Sequence, residues 1–285
     1  MGRLRGAISA AGQGYTIVEV SIVLAISGVL FISAASLLGN KKQGTDFEQV
    51  MQDLSSKIES VANQVKSGNY DDFSSYTCSI NGQGRPTLTQ PAGGGTPNQA
   101  CTVLGRAMQV TAESDRIFIY TVLGLRTVSG TAPTSILAAM PEPVMGDGPT
   151  LNNTGVDLTE EYKLAGSAKI VYATAAVPTE NNDMIGFYLA PVANVAVGQG
   201  STFTSLAYLF QSNTNGSYKE SPDSYTSTKA CLEQLASNDC QNPTTLGKWE
   251  LCVHSTDDSR QAVLEVRGIS GGITTNIVDK DCKIE

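Results

Sequence analysis

Gly14-Tyr15-Thr16-Ile17-Val18-Glu19-Val20 opens an apolar run that continues to Leu38, and its single carboxylate decides how the chain is read. A carboxylate at the centre of a membrane helix costs about 2.5–3.5 kcal/mol on insertion scales and is tolerated near lipid mainly when it has a partner. Glu19 therefore reads as a functional residue. The alternative is an interfacial acid that favours the positive end of the helix dipole. Ahead of it, the first fourteen residues carry Arg3 and Arg5, no acid, and small residues up to Gly14. That suits a short leader held on the cytoplasmic side by its charge. A secretory signal is cut after its apolar segment, whereas here the natural breakpoint lies before it. Cutting between Gly14 and Tyr15 keeps the apolar helix and creates an α-amino group with which a carboxylate on another chain can pair.

Beyond the apolar run, Phe47, Val50, Met51, Leu54, Ile58, Val61 and Val65 recur at spacings of three and four, with Glu48, Gln49, Asp53, Lys57 and Lys66 opposite. This predicts an amphipathic helix with one packing face. No proline lies between Tyr15 and Lys66, so one long helix over 15–67, loosened near Gly39 to Gly44, is the simplest reading. At 1.5 Å per residue, about 50 residues span roughly 75 Å, far more than a bilayer needs. The half over 15–39 belongs in lipid or a filament core, and the other half in a folded head.

Gly-aromatic-Thr-Ile-Val-Glu-Val ahead of about twenty apolar residues resembles the prepilin signature of type IV pilins and type II secretion pseudopilins. The resemblance implies a membrane prepilin peptidase that cuts after Gly14 and methylates Tyr15, and a Glu19 carboxylate that pairs with the new amine of a neighbouring subunit. Gly28 matches a glycine common in the family. Tyr15 replaces the commoner Phe, and Ser36 stands where many pilins have a proline. The implied partners are identical or related pilin subunits, the peptidase, and a pilus assembly platform in the inner membrane, with a possible surface ligand. The implied location is a single-pass inner-membrane precursor whose exported head ends in an extracellular or periplasm-spanning filament. Adhesion, motility and DNA uptake are the functions such a pilus serves. A low-copy minor pilin or tip adhesin and a secretion pseudopilin are alternatives within the same family.

The remainder, 68–285, reads as a β-rich head, so the fold class expected is α+β: a long N-terminal helix on an antiparallel sheet with disulfides. Ile117 to Val122, Ile170 to Tyr172, Ile185 to Leu189 and Leu206 to Phe210 are β-branched and aromatic runs of strand length. Trp249 to Val253 and Val263 to Arg267 flank Asp257-Asp258-Ser259, which predicts a hairpin. Stretches 81–100 and 139–157 read as exposed loops, and a second small module is expected from about residue 160.

Six cysteines, Cys78, Cys101, Cys231, Cys240, Cys252 and Cys282, all follow the apolar segment. Export would place them where disulfides persist. Fifteen pairings are open; sequential pairing is favoured because each pair then brackets a loop or an element end. A zinc site lacks any Cys-x-x-Cys and has one histidine, His254. That histidine is read as structural, no nucleophile elbow or metal-binding histidine pair occurs, and neither an enzyme nor a cofactor is expected. Asp279 and Asp281 are candidates for a calcium site of the kind some pilin-like heads have, or else simply solvated. Asn152-Asn153-Thr154 and Asn215-Gly216-Ser217 fit glycosylation sequons.

Net charge is −8, and losing Arg3 and Arg5 with the leader takes it to about −10. General nucleic-acid binding is not expected of such a chain, since phosphate contacts dominate that affinity. Arg85, Arg106, Arg116 and Arg126 are a local exception, read as a solvated face. Because the apolar helix must be kept while the charged leader is lost, intact mass of the mature protein should correspond to a chain starting at Tyr15, methylated. A mature protein that retains Met1 or Gly2 would be incompatible with this processing.

Overall fold

The computed structural model of the protein describes residues 16–68, 76–90, 100–146, 155–166, 168–175, 183–189, 205–212, 221–234, 240–269 and 272–282. For 34–44, 174–175, 205–206, 208–212, 234 and 240–245 only the backbone is described. The leader, Gly14 and Tyr15, and both sequons lie outside the described residues. Two compact units are present, Met1–Asp46 and Phe47–Glu285.

Helix α1, Ile17–Ser67, runs without interruption, so Gly39 and Gly44 do not break it. It stops at Gly68, whose φ of 64° supplies the left-handed residue with which helices commonly end. Among the described residues no helix is long and apolar enough to cross a membrane. The expected span, 15–39, extends at both ends past the side chains that are described.

The second unit is α+β with wholly antiparallel pairing among its described strands. Strands β1 (Thr77–Ile80) and β2 (Pro86–Thr89) form a hairpin. Strands β3 (Cys101–Val110), β4 (Arg116–Leu125), β5 (Glu142–Pro143), β6 (Glu160–Lys163), β8 (Met184–Leu189), β9 (Ser205–Ser212) and β10 (Cys240–Thr245) make the largest sheet. Its order is β10-β9-β8-β3-β4-β5, with β6 also on β4. Strands β7 (Ala168–Ala175), β11 (Lys248–Ser255), β12 (Gln261–Ile269) and β13 (Gly272–Val278) make the third sheet, in the order β13-β12-β11-β7. All four strand runs and the β11–β12 hairpin expected from sequence fall inside these strands.

The largest core shows why the helical stripe is spaced as it is. Leu54, Ile58, Val61 and Val65 are wholly buried, in one cluster with Met108, Ile117, Ile119 and Phe187 of the large sheet and Ile170, Trp249, Leu251 and Leu264 of the third. Polar contacts fix the register of this stretch. Ser55 Oγ lies 2.6 Å from Thr275 Oγ1, which also donates to Glu59. Lys57 pairs with Glu160 and sits 5.6 Å from the Tyr162 ring centre, and Arg106 donates to Gln64 and, at 3.4 Å, to Glu160.

The structure corrects three expectations. Arg106 is buried rather than part of a solvated face, and Arg85 is half-buried in an ion-pair group. The stretch from 139 is not an exposed loop at its start: Ala139, Val144 and Met145 are buried and Glu142–Pro143 is a strand. Likewise 81–100 holds the strand β2.

A helix absent from the sequence reading, α2 (Pro222–Gln234), covers the other face of the large sheet. Its Cys231 and Leu232 join Phe118, Tyr120, Val122 and Tyr188 in a second buried cluster. Strand β4 thus alternates Ile117 and Ile119 into one cluster with Phe118 and Tyr120 into the other, which is why it reads as one continuous apolar run.

β3 shifts register against β4 between Val103 and Gly105, and Gly105 pairs with Tyr188 of β8. A Cβ there would collide with the Phe187 carbonyl and the Tyr188 backbone, neither of which can rotate away. Gly105→Ala should therefore destabilise the protein by about 1–3 kcal/mol, and Leu54→Ala by about 2–5 kcal/mol. Urea unfolding followed by Trp249 fluorescence would read both; equal midpoints for wild type and Leu54→Ala would place that residue outside the core.

Candidate functional site

The described chain begins at the site that the sequence singles out. Glu19 N donates to Thr16 Oγ1 at 3.2 Å, and Thr16 N donates back to Glu19 Oε2 at 3.3 Å. These reciprocal bonds form a capping box, Thr at the N-cap and Glu three residues on, which satisfies two of the otherwise unpaired amides of a helix start. Thr16 Oγ1 lies 3.4 Å from the same carboxylate oxygen. The signal was present in the sequence as Thr-x-x-Glu, and the apolar run around it drew attention to the charge alone. Glu19 is exposed, so its carboxylate remains open to a further partner.

Below the box the helix presents apolar side chains outward on every side. Ile17, Val18, Val23, Leu24, Val29, Leu30, Phe31 and Ile32 are all more than half exposed, Ile17 at 86% and Phe31 at 75%. Each such side chain contributes roughly 1.5–3 kcal/mol when removed from water. A contiguous exposed surface of this kind marks a protein or membrane interaction site. Ser21 and Ser33 do not interrupt it, since their hydroxyls donate back to the carbonyls of Ile17 and Val29.

In the second unit, the structure pairs Cys78 with Cys101 and Cys252 with Cys282, with Cα atoms 6.0 and 5.6 Å apart. Both pairs are among those favoured from sequence. Cys231 is also disulfide-bonded, and no described cysteine is free; the side chain of Cys240, its expected partner, lies outside the described residues. His254 stands beside the Cys252–Cys282 bridge, its Nδ1 3.4 Å from Asp258 Oδ1. Asp281 accepts from Gln261 at 2.7 Å, and Asp279 lines a cavity of about 660 Å³ with Phe47, Met51, Arg260 and Ile277.

Charge on the third sheet is organised in pairs. Lys248 bridges Glu250 and Glu265, Arg267 reaches Glu265 at 2.7 Å, and Lys280 reaches Glu250 at 2.8 Å. Burial opposes the charge on Glu265, but hydrogen bonds from Lys248 and Arg267 outweigh it and hold the carboxyl at about 2. The hydroxyls of Ser255 and Ser259 hold Asp257 at about 2 in the hairpin turn. In the α2 contact the balance is reversed: burial and the neighbouring Glu233 raise the Glu142 carboxyl in spite of the Lys229 hydrogen bond. Arg85 completes that group, 3.7 Å from Glu142 and 3.8 Å from Glu233.

Comparison of the chain with protein-family models, with curated proteins and with solved structures finds no match.

Glu265 has a folded pKa below its unfolded one, so its stabilisation is complete above about pH 4.5 and is lost as pH falls towards 2. A displacement of that size is worth on the order of 3 kcal/mol. Glu265→Gln should lower the urea midpoint near neutral pH and leave it almost unchanged near pH 2. An identical loss at both pH values would mean that the side chain acts through packing alone.

Proposed function

We propose that the chain is a type IV pilin-like subunit, processed by prepilin peptidase and assembled through its N-terminal helix into a filament. The observation that carries the reading is the coincidence of the Gly14-Tyr15-Thr16-Ile17-Val18-Glu19 signature with an outward-facing apolar helix headed by an exposed carboxylate. A helix that is apolar all round has to be covered, by lipid before assembly and by like helices after it. The amphipathic half of α1 is then the spine of an exported head, on which the antiparallel sheets rest.

Glu19 has two tasks in this reading. It caps its own helix through Thr16, and its remaining lone pairs take the methylated amine of Tyr15 on the adjacent subunit. In a low-dielectric filament core an ammonium and a carboxylate each need the other, because removing one leaves an uncompensated charge. Prepilin cleavage supplies the amine only after the leader has gone, which orders processing before assembly.

The two tasks can be separated chemically. Glutamine serves in a capping box as glutamate does, yet carries no charge. Glu19→Gln should leave insertion and cleavage intact and reduce incorporation into filaments about as much as Glu19→Ala, in cells lacking the wild-type subunit. Filament yield would be read from sheared, sedimented pili. Normal yield from Glu19→Gln with low yield from Glu19→Ala would assign Glu19 to helix capping alone and overturn the pairing.

A further inference from the structure

Cys252 and His254 are two residues apart on β11 and so share one side of the strand. Cys282 is brought to the same place after β13, its Sγ 3.7 Å from the Ala262 carbonyl. The two sulfurs and a ring nitrogen of His254 lie within 4.8 Å of one another, the single group of this kind among the described residues. Tetrahedral zinc holds such atoms roughly 3.4–3.8 Å apart, so the two sulfurs, bonded to each other here, have to separate on reduction while the imidazole stays within reach.

Two further features point to a ligand. His254 Nε2 is buried and has no hydrogen-bond partner. Its Nδ1 faces Asp258 Oδ1 at 3.4 Å, the carboxylate–histidine arrangement that orients a metal-binding imidazole. Asp258 is shared with Lys169 at 3.8 Å, and Lys169 is itself held by Glu113 at 2.8 Å.

We propose that Cys252, His254 and Cys282 form a redox-gated site for one thiophilic divalent cation, Zn²⁺, closed while the disulfide is intact. A dithiol donor gives two electrons and two protons to the Cys252–Cys282 bond, yielding two thiols here and a disulfide on the donor. Zn²⁺ then displaces both thiol protons and binds two thiolates and the neutral His254 Nε2, with a water as fourth ligand. A disulfide acceptor then takes two electrons from the thiolates and two protons from water, becoming a dithiol, while the Cys252–Cys282 bridge re-forms and the cation is released. Cys252 is buried and the Cys282 residue partly exposed, so the donor would approach from the Cys282 side. The lone histidine of the sequence gave no such signal, because its partners lie at positions 252 and 282, with no short cysteine spacing.

The test uses the full-length chain in detergent, reduced without oxygen by a phosphine, which becomes its oxide by taking oxygen from water. Cobalt(II) alone, then Zn²⁺ alone, would be titrated before and after reduction. One cobalt per chain should bind only after reduction, with thiolate-to-cobalt charge-transfer absorption, and Zn²⁺ should displace it. The absorption should persist in the Cys78→Ser, Cys101→Ser double variant, whose cysteine pair has no histidine beside it. Affinity should fall about 10–100-fold in Asp258→Asn and at least as far in His254→Ala and in His254→Gln. Circular dichroism of each oxidised variant checks its fold. Undiminished affinity in both His254 variants would overturn the proposal, as would no uptake after reduction, or a reduced head that loses its native spectrum and does not regain it with Zn²⁺.

Discussion

Burial of the stripe from Phe47 to Val65 is the constraint on which the second unit depends. Leu54, Ile58, Val61 and Val65 keep no contact with water, and the residues that cover them come from both larger sheets. Neither sheet closes this core by itself. Trp249 and Leu251 on one side, with Ile119 and Phe187 on the other, meet in the same cluster as the helix. Removing the stripe would therefore expose an apolar face of each sheet at once. The polar contacts at its border, Ser55 with Thr275 and Arg106 with Gln64 and Glu160, add less energy than burial does. Their contribution is register: a one-residue rotation of the helix would take Gln64 away from the buried Arg106 guanidinium, leaving Glu160 of β6 as its partner.

What the sequence disclosed follows from which signals are local. Helix periodicity over 47–65 and the apolar strand runs are carried by residues close in the chain, and each fell inside an observed element. Helix α2 was missed although Ser221 and Pro222 mark its start, the Ser221 hydroxyl accepting from Ser224 N at 3.1 Å. Its interior, Ser224 to Thr228, is rich in residues that compete with the helix for their own backbone, and only the large-sheet face supplied by distant strands decides the outcome. Arg106 was misjudged for the same reason: its partners, Gln64 and Glu160, are 42 and 54 residues away. At the N-terminus the structure shows a task that was not read from the sequence: capping by Glu19 needs only Thr16, three residues back, but was masked by the rarity of a charge in such surroundings.

The Cys78–Cys101 and Cys252–Cys282 ties hold segments at the edge of the main core. The β1–β2 hairpin has two strands, a size that is marginal in water alone, and its cluster is small: Cys78, Leu88, Cys101, Val103, Leu123 and Val144. The Cys78–Cys101 bridge closes 23 residues across that cluster, and Arg85 donates to the Pro141 carbonyl at 2.6 Å from the turn between the strands. In the chain-entropy account such a loop is worth roughly 3 kcal/mol, comparable to what a large buried side chain contributes. The Cys252–Cys282 bridge plays the same part for the segment after β13, where residues 279–281 are exposed and hydrogen bonding to Gln261 and Glu250 supplies the remaining hold. The bridge next to His254 is thus also the tie whose opening would free residues 279–282. The cost of opening it falls on a segment outside the main core, so the two sheets and the helical stripe can keep their packing while Cys252 and Cys282 change partners.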